Sequence, residues 1–160
     1  MVMEIFFIAP QRGIHQEYRF PLGALYITQS LENEGFKVRF YDLQLWSKET
    51  ILREIKKHKP HYVLSGCFSY NRMQILNLTK TIKQISPKTV IILGSYHPSR
   101  MYETLIENYP IDIVVLNRGE VKILELVKTK SKRQLQSIPG IAFRVKDQIV
   151  VNRDNEGYSI

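Results

Sequence analysis

The sequence predicts an α/β fold in which a doubly wound parallel sheet lies between two layers of helices, a three-layer sandwich. Three observations carry this. Short apolar runs at residues 5–9, 62–64, 90–93 and 113–116 lack the polar alternation of half-exposed strands and suit strands buried on both faces. Segments with apolar residues at helical spacing separate them. Glycine or proline closes most segments, and strands that alternate with helices in this way build a parallel sheet.

The first strand is Ile5 to Ala9, closed by Pro10. A long loop over residues 10–20 follows, and Pro21 then opens a helix with Ala24, Ile27 and Leu31 on one face and Gly35 at its end. Residues 36–41 alternate apolar and basic side chains, as expected of a strand near a sheet edge, with Asp42 directly after it. Residues 48–58 carry Ile51, Leu52 and Ile55 at helical spacing and stop before Pro60. The third strand, from Tyr62, runs into Ser65-Gly66-Cys67. Residues 71–86 form a helix with Ile75, Leu78, Ile82 and Ile85 inward and Lys80 and Lys83 on its wet side.

The fourth strand, from Val90, ends in Gly94-Ser95-Tyr96-His97-Pro98-Ser99, and Pro98 suits the first turn of the helix to about Asn108. Residues 111–116 are the fifth strand. Residues 120–128 form a helix, read with Val121, Leu124 and Val127 inward, and the basic residues Lys128, Lys130, Lys132 and Arg133 trail off it as a solvated face. After Ile138-Pro139-Gly140, residues 141–146 and 148–151 flank Asp147 as a small hairpin. Right-handed crossovers and a central first strand give the flavodoxin-like (Rossmann-like) order 2-1-3-4-5. The expected organisation is one α/β domain over residues 1–137, a terminal hairpin over 138–152 packed on it, and a tail or linker over 153–160.

Composition narrows the class. A chain of 160 residues with 44% hydrophobic content supports one buried core. A formal charge of +8 suits anionic ligands or an acidic partner, but no aromatic platform or groove-reading motif accompanies it, so nucleic acid is not expected. Cys67 is the only cysteine, which excludes an intrachain disulfide or a Cys-ligated cluster built from this chain alone and points to a reducing compartment. The apolar run at 5–9 is too short to span a bilayer, and a cytoplasmic location is expected without a membrane partner.

In open parallel sheets, ligands bind at the carboxyl ends of the strands, beside the topological switch. The loops after Ala9, Ser65 and Gly94 should meet there, with residues 117–120 beside them. A phosphoacceptor site would need an acidic pair after the first strand and Asp after the third, where Ala9-Pro10 and Gly66-Cys67 stand. A flavin phosphate loop would place Ser, Thr and Gly after the first strand, whereas Gln11, Arg12 and Gly13 occur. Neither G-x-G-x-x-G nor G-x-x-x-x-G-K-[ST] is present.

Pro21-Leu22-Gly23 with Tyr26, Gly35-Phe36, Asp42, Ser65-Gly66-Cys67, Gly94 through Ser99, Arg118-Gly119-Glu120 and Ile138-Pro139-Gly140 occur in the order and spacing of one family. The chain resembles the amino-terminal cobalamin-binding domain of B12-dependent radical SAM enzymes from about residue 4 to residue 153. The resemblance implies a corrinoid-carrying module whose parent enzyme performs methyl transfer or related radical chemistry. It implies no turnover by this chain alone, and a radical SAM catalytic domain as partner, in cis or in trans. The 4Fe-4S cluster and S-adenosylmethionine would belong to that domain. Cobalamin would be held by Tyr18, Pro21, Leu22, Ser65, Gly66, Cys67, Phe68, Gly94, Ser95, His97, Pro98, Gly119 and Glu120. Ser65, Gly94 and Ser95 would line the nucleotide-tail pocket, and the loop at 10–20 and residues 117–120 would face the corrin ring.

Two departures bear on binding. Gly94-Ser95 stands where the family commonly has two glycines, and Val121-Lys122 stands where it commonly continues Gly-Glu. Cobalamin proteins with a histidine cobalt ligand carry D-x-H-x-x-G. Here Gly13 replaces the Asp that would orient His15, and Tyr18 replaces the Gly, so His15 is not expected to bind cobalt. The alternative reading is a flavodoxin-like interaction or regulatory domain that has lost the cofactor and docks a partner through its basic face.

Overall fold

The computed structural model describes residues 3–12, 20–129 and 131–154. The described elements are β1 (Glu4–Ala9), α1 (Leu22–Asn33), β2 (Lys37–Asp42), α2 (Lys48–His58), β3 (Tyr62–Gly66), α3 (Arg72–Ile85), β4 (Val90–Gly94), α4 (Tyr96–Asn108), β5 (Ile113–Val115), α5 (Glu120–Lys128), a one-turn α6 (Lys132–Leu135), β6 (Ile141–Val145) and β7 (Gln148–Asn152). They form a sheet of order β2-β1-β3-β4-β5-β6-β7. The first five strands run parallel, and β6 and β7 pair antiparallel. The expected 2-1-3-4-5 order is therefore found, with β2 at the edge. The hairpin is not a layer laid over the domain. Its first strand hydrogen-bonds to β5 and widens the sheet itself.

Strand alternation divides the core. Phe6, Ile8, Val63, Ile91, Leu93 and Val114 face α2, α3 and α4, while Ile5, Phe7, Leu64, Ile92 and Val115 face α1 and α5. Two helix faces differ from expectation. In α5, Val121 is 70% exposed, and the inward stripe is Ile123, Leu126 and Val127, joined by Lys122. Lys122 is buried because its ammonium is spoken for, by the Leu116 carbonyl at 3.0 Å and by the Asp154 carboxylate. That contact turns the helix so that Val121, not the lysine, meets solvent. In α3, Lys83 is not on a wet face: its Nζ lies 2.7 Å from both Asp112 and the Thr89 carbonyl.

Helix α4 begins two residues before Pro98, which occupies the third position of its first turn, where the missing N–H has no intrahelical partner to lose. Strand β5 is shorter than the strand expected over 111–116, because Ile111 turns back to the Tyr109 carbonyl. Asn152 belongs to β7 and donates to the Leu135 and Ile138 carbonyls, so the polar segment after the hairpin starts tied down. No helix among the described residues is long and apolar enough to cross a membrane.

Candidate functional site

The crossover from β2 over β1 to β3 makes the switch point, and a cavity of about 760 Å³ opens there on the α1/α5 side. Its floor is the inward row Phe7, Leu64, Ile92 and Val115, one residue from each of four adjacent parallel strands. Its walls come from Ala24 and Ile27 of α1 and Ile123 of α5. The strand ends form the mouth: Pro10 and Arg12, Ser65-Gly66 with Phe68, Gly94-Ser95 with Ser99 and Arg100, and residues 117–120.

The glycines decide what this space is for. A Cβ built on Gly66 would meet Pro10 and Ser95 at 3.9 Å, and one built on Gly94 would meet Val115 at 3.9 Å. Both are ordinary contacts, and neither backbone has a positive φ. The fold itself would accept alanine at either position. Their bare Cα atoms therefore leave room in a cradle between strand ends, as a bulky flat ligand requires.

Local hydrogen bonds hold the mouth in place. The Ser65 hydroxyl is within donating reach of the Ile8 carbonyl (2.7 Å) and the Gly66 carbonyl (3.0 Å), so it ties β3 to β1 across the switch. The Asn71 amide carbonyl accepts from the Phe68 N–H (2.8 Å), and its NH₂ donates to the Gln11 carbonyl (2.9 Å). Asp42, at the end of β2, holds the Arg12 guanidinium at 2.7 Å with both side chains largely buried. The Ser99 hydroxyl donates to the Ser95 carbonyl (2.8 Å) and accepts from the Asn117 N–H (2.9 Å), linking the β4–α4 and β5–α5 turns.

Ser95 stands out in this frame. Its φ is +87° and its ψ −175°, a conformation adopted almost only by glycine. The common family glycine would fit this backbone, and the serine is held in it nonetheless.

Of the residues expected to hold the cofactor, Pro21, Leu22, Ser65, Gly66, Phe68, Gly94, Ser95, Gly119 and Glu120 line the cavity. Cys67 does not: it is fully buried in the core on the α2/α3/α4 side, and burial pushes its thiol up to about 12. Pro98 is buried in the first turn of α4, and His97 lies outside the lining with Nδ1 3.3 Å from the Ser69 hydroxyl. Burial, and then the nearby Arg72 charge, lowers the His97 pKa. Tyr18 and His15 lie outside the described residues. His58 and His61 are structural, as expected: His58 sits between Glu4 and Glu54, and His61 Nδ1 accepts the Glu4 N–H.

Sequence reasoning missed the apolar floor and Arg100. Strand parity was the available signal for the floor, since Phe7, Leu64, Ile92 and Val115 fall on one side of their paired registers. Among the described residues, no cluster of three or more His, Cys, Asp or Glu could hold a metal ion.

Comparison with known proteins agrees with this geometry. The family model described as "B12 binding domain" matches residues 17–127, well over half of the chain. The hopanoid C-3 methylase of Methylococcus capsulatus is 29% identical over 128 residues, covering 76% of this chain and 24% of the relative. The anaerobic magnesium-protoporphyrin IX monomethyl ester cyclase of Cereibacter sphaeroides is 24% identical over 141 residues, 81% of this chain and 22% of the relative. The chain thus spans about a quarter of the length of these curated relatives. Among solved structures, the radical S-adenosylmethionine methyltransferase TsrM from Kitasatospora setae, with cobalamin and a [4Fe-4S] cluster bound, superposes with a TM-score of 0.78 at 19% identity, over 97% of this chain and 29% of its own. The cobalamin-dependent S-adenosylmethionine radical enzyme OxsB with aqua-cobalamin gives 0.77 at 18% identity, over 95% and 22%. These two likenesses concern the fold.

Proposed function

The chain belongs to the B12-binding domain family and is a cobalamin-binding module; from that premise we propose that the carboxyl-end cavity takes the cofactor's nucleotide tail, with the corrin ring over the mouth. The observation that carries this is the cradle at Gly66 and Gly94, where the protein leaves space that its own packing does not need. Phe7, Leu64, Ile92 and Val115 offer the tail's base an apolar floor. Pro21, Leu22, Phe68, Gly119 and Glu120 border the ring, and Asp42 keeps Arg12 in the wall between them. Ser65 shapes the entrance by fixing β3 to β1 and acts through the backbone.

Bound cobalamin supplies a cobalt centre that carries the methyl or radical chemistry. The chain's own residues bind and orient it and keep water from its lower face. The chemistry itself is assigned to a radical SAM catalytic domain, in cis or in trans, within a methyltransferase-like enzyme, and no turnover is expected of this chain alone. The large apolar side chains left exposed support a domain docked at this end. Phe20, Leu22, Tyr26, Trp46, Tyr70, Tyr96 and Val121 all lie in segments that follow a strand's carboxyl end. The reducing cytoplasm is the proposed compartment, on the single cysteine.

The test is to incubate the protein with hydroxocobalamin and with methylcobalamin, remove free corrinoid by desalting, and record the visible spectrum. A retained one-to-one complex with a base-off spectrum is expected. Colourless, folded protein from both mixtures would overturn the reading.

A further inference from the structure

Two non-glycine residues of the cavity wall have a positive φ, Asn117 and Ser95, and of the two Ser95 lies in the region that is almost glycine-only, with no partner for its hydroxyl among the described residues. Its φ of +87° favours glycine, and no hydrogen-bond partner is found for its Oγ among the described residues. The backbone there is locked, because the Ser95 carbonyl accepts from both the N–H and the hydroxyl of Ser99. Its Cβ lies 3.9 Å from where a side chain on Gly66 would begin, at the level where the strands end and the apolar floor stops. Arg100, on α4, lines the same cavity, is exposed, and has no ion pair or hydrogen bond among the described residues.

A neutral donor and a guanidinium, both without a partner among the described residues and both lining a cavity with an apolar floor, match an anion carried between a corrin and a buried base. We infer that Ser95 and Arg100 together bind the phosphodiester of the corrinoid's nucleotide tail, which makes Ser95 a specificity-determining residue that selects corrinoids with a complete tail. The inference rests on the cofactor reading above. The strain at Ser95 is present with and without ligand, so it cancels in binding, and the hydroxyl's bond to the phosphate remains as the net effect. A hydrogen bond to a charged group changes affinity by about tenfold or more.

The experiment compares the affinities of wild type, Ser95→Gly and Arg100→Gln for hydroxocobalamin and for cobinamide, the same corrin without the nucleotide and its bridging phosphodiester. Each substitution is expected to weaken hydroxocobalamin about tenfold and to leave cobinamide within about twofold. Arg100→Gln should also flatten the salt dependence of hydroxocobalamin binding. Ser95→Gly relieves strain and Arg100 is exposed, so both variants should fold, which thermal melts check. Unchanged hydroxocobalamin affinity in both variants, or equal weakening for both corrinoids, would overturn this assignment and leave the cofactor reading standing. Adenosine monophosphate binding as tightly as cobalamin with the same dependence would also overturn it, by moving the pair to a free nucleotide. Folded wild type that bound neither corrinoid would overturn the cofactor reading, and this inference with it.

Discussion

The two ends of the sheet carry cavities of nearly equal size, about 760 Å³ at the carboxyl end and about 750 Å³ at the amino end, and they are built on opposite terms. At the amino end, polar groups are paired. Glu4 meets Arg39 at 2.7 Å and Lys37 at 3.4 Å, Lys83 meets Asp112 at 2.7 Å, and Thr89 donates to the Pro60 carbonyl at 2.7 Å. Among the described residues the amino-end cavity has no glycine in its lining, and its Lys83 and Arg144 are bonded to the protein, while Lys146, also of positive φ, stands exposed in the β6–β7 turn. The carboxyl-end cavity is lined by Gly23, Gly66, Gly94 and Gly119, by a strained serine, and by Arg100, which has no partner among the described residues. Volume therefore does not distinguish a site from a gap. The distinction lies in the glycines at the strand ends, which keep space open that the packing does not need.

One exception at the carboxyl end gives the largest expected effect. Lys122 joins the Leu116 carbonyl, just before the cavity-facing turn, to Asp154, and lies so close to Gly140 that a Cβ there would clash with its ammonium. Lys122→Ala removes the buried ammonium that the Leu116 carbonyl and the Asp154 carboxylate share and should cost about 3 kcal/mol in urea unfolding. A loss below about 0.5 kcal/mol would show that this wall is as loosely held as the rest of the mouth. Next, Gly66→Ala should leave the melting temperature nearly unchanged, because its Cβ meets only ordinary contacts, yet weaken hydroxocobalamin about tenfold by overfilling the cradle. Equal affinity would place the ligand elsewhere.

Ser95→Gly should stabilise the fold by about 1 kcal/mol, since it removes strain and no protein hydrogen bond of the side chain. A destabilised variant would mean that the serine serves the fold after all. The smallest effect is a pH dependence at the amino end. Burial alone would raise the Glu4 carboxyl, but hydrogen bonds from Arg39 and Lys37 outweigh it and the pKa is lowered from 4.5. A depressed folded-state value contributes stability that is fully present above the unfolded pKa and is lost as pH falls through the folded one. Wild type should therefore lose stability below about pH 4.5 more steeply than Glu4→Gln, which unfolding at pH 7 and pH 3.5 would compare.

Much of the fold was legible because the strands advertise themselves. Runs such as Ile5 to Ala9 and Val90 to Leu93 have no polar face, and that alone makes them central and parallel. The order of the motifs also brought the chain to the right family. In helix α5 the expected inward face held at Leu124 and Val127 and failed at Val121, because Lys122 owes its burial to Asp154, a partner 32 residues away that no local periodicity encodes. The placement of Cys67 failed for a related reason: it follows a cavity-lining glycine in sequence, but strand alternation sends its side chain to the opposite core. The strain at Ser95 was not legible, since serine carries no signal for a positive φ, whereas the glycines of the cradle were recognised from their position alone.

The claim that the carboxyl end is the corrinoid site is tested most directly by titrating hydroxocobalamin into two folded variants, Gly94→Val at that end and Lys83→Met at the other. The first should lose at least about a hundredfold in affinity as its side chain fills the cradle, and the second should bind as wild type does. Full affinity in Gly94→Val, or a loss confined to Lys83→Met, would contradict the assignment.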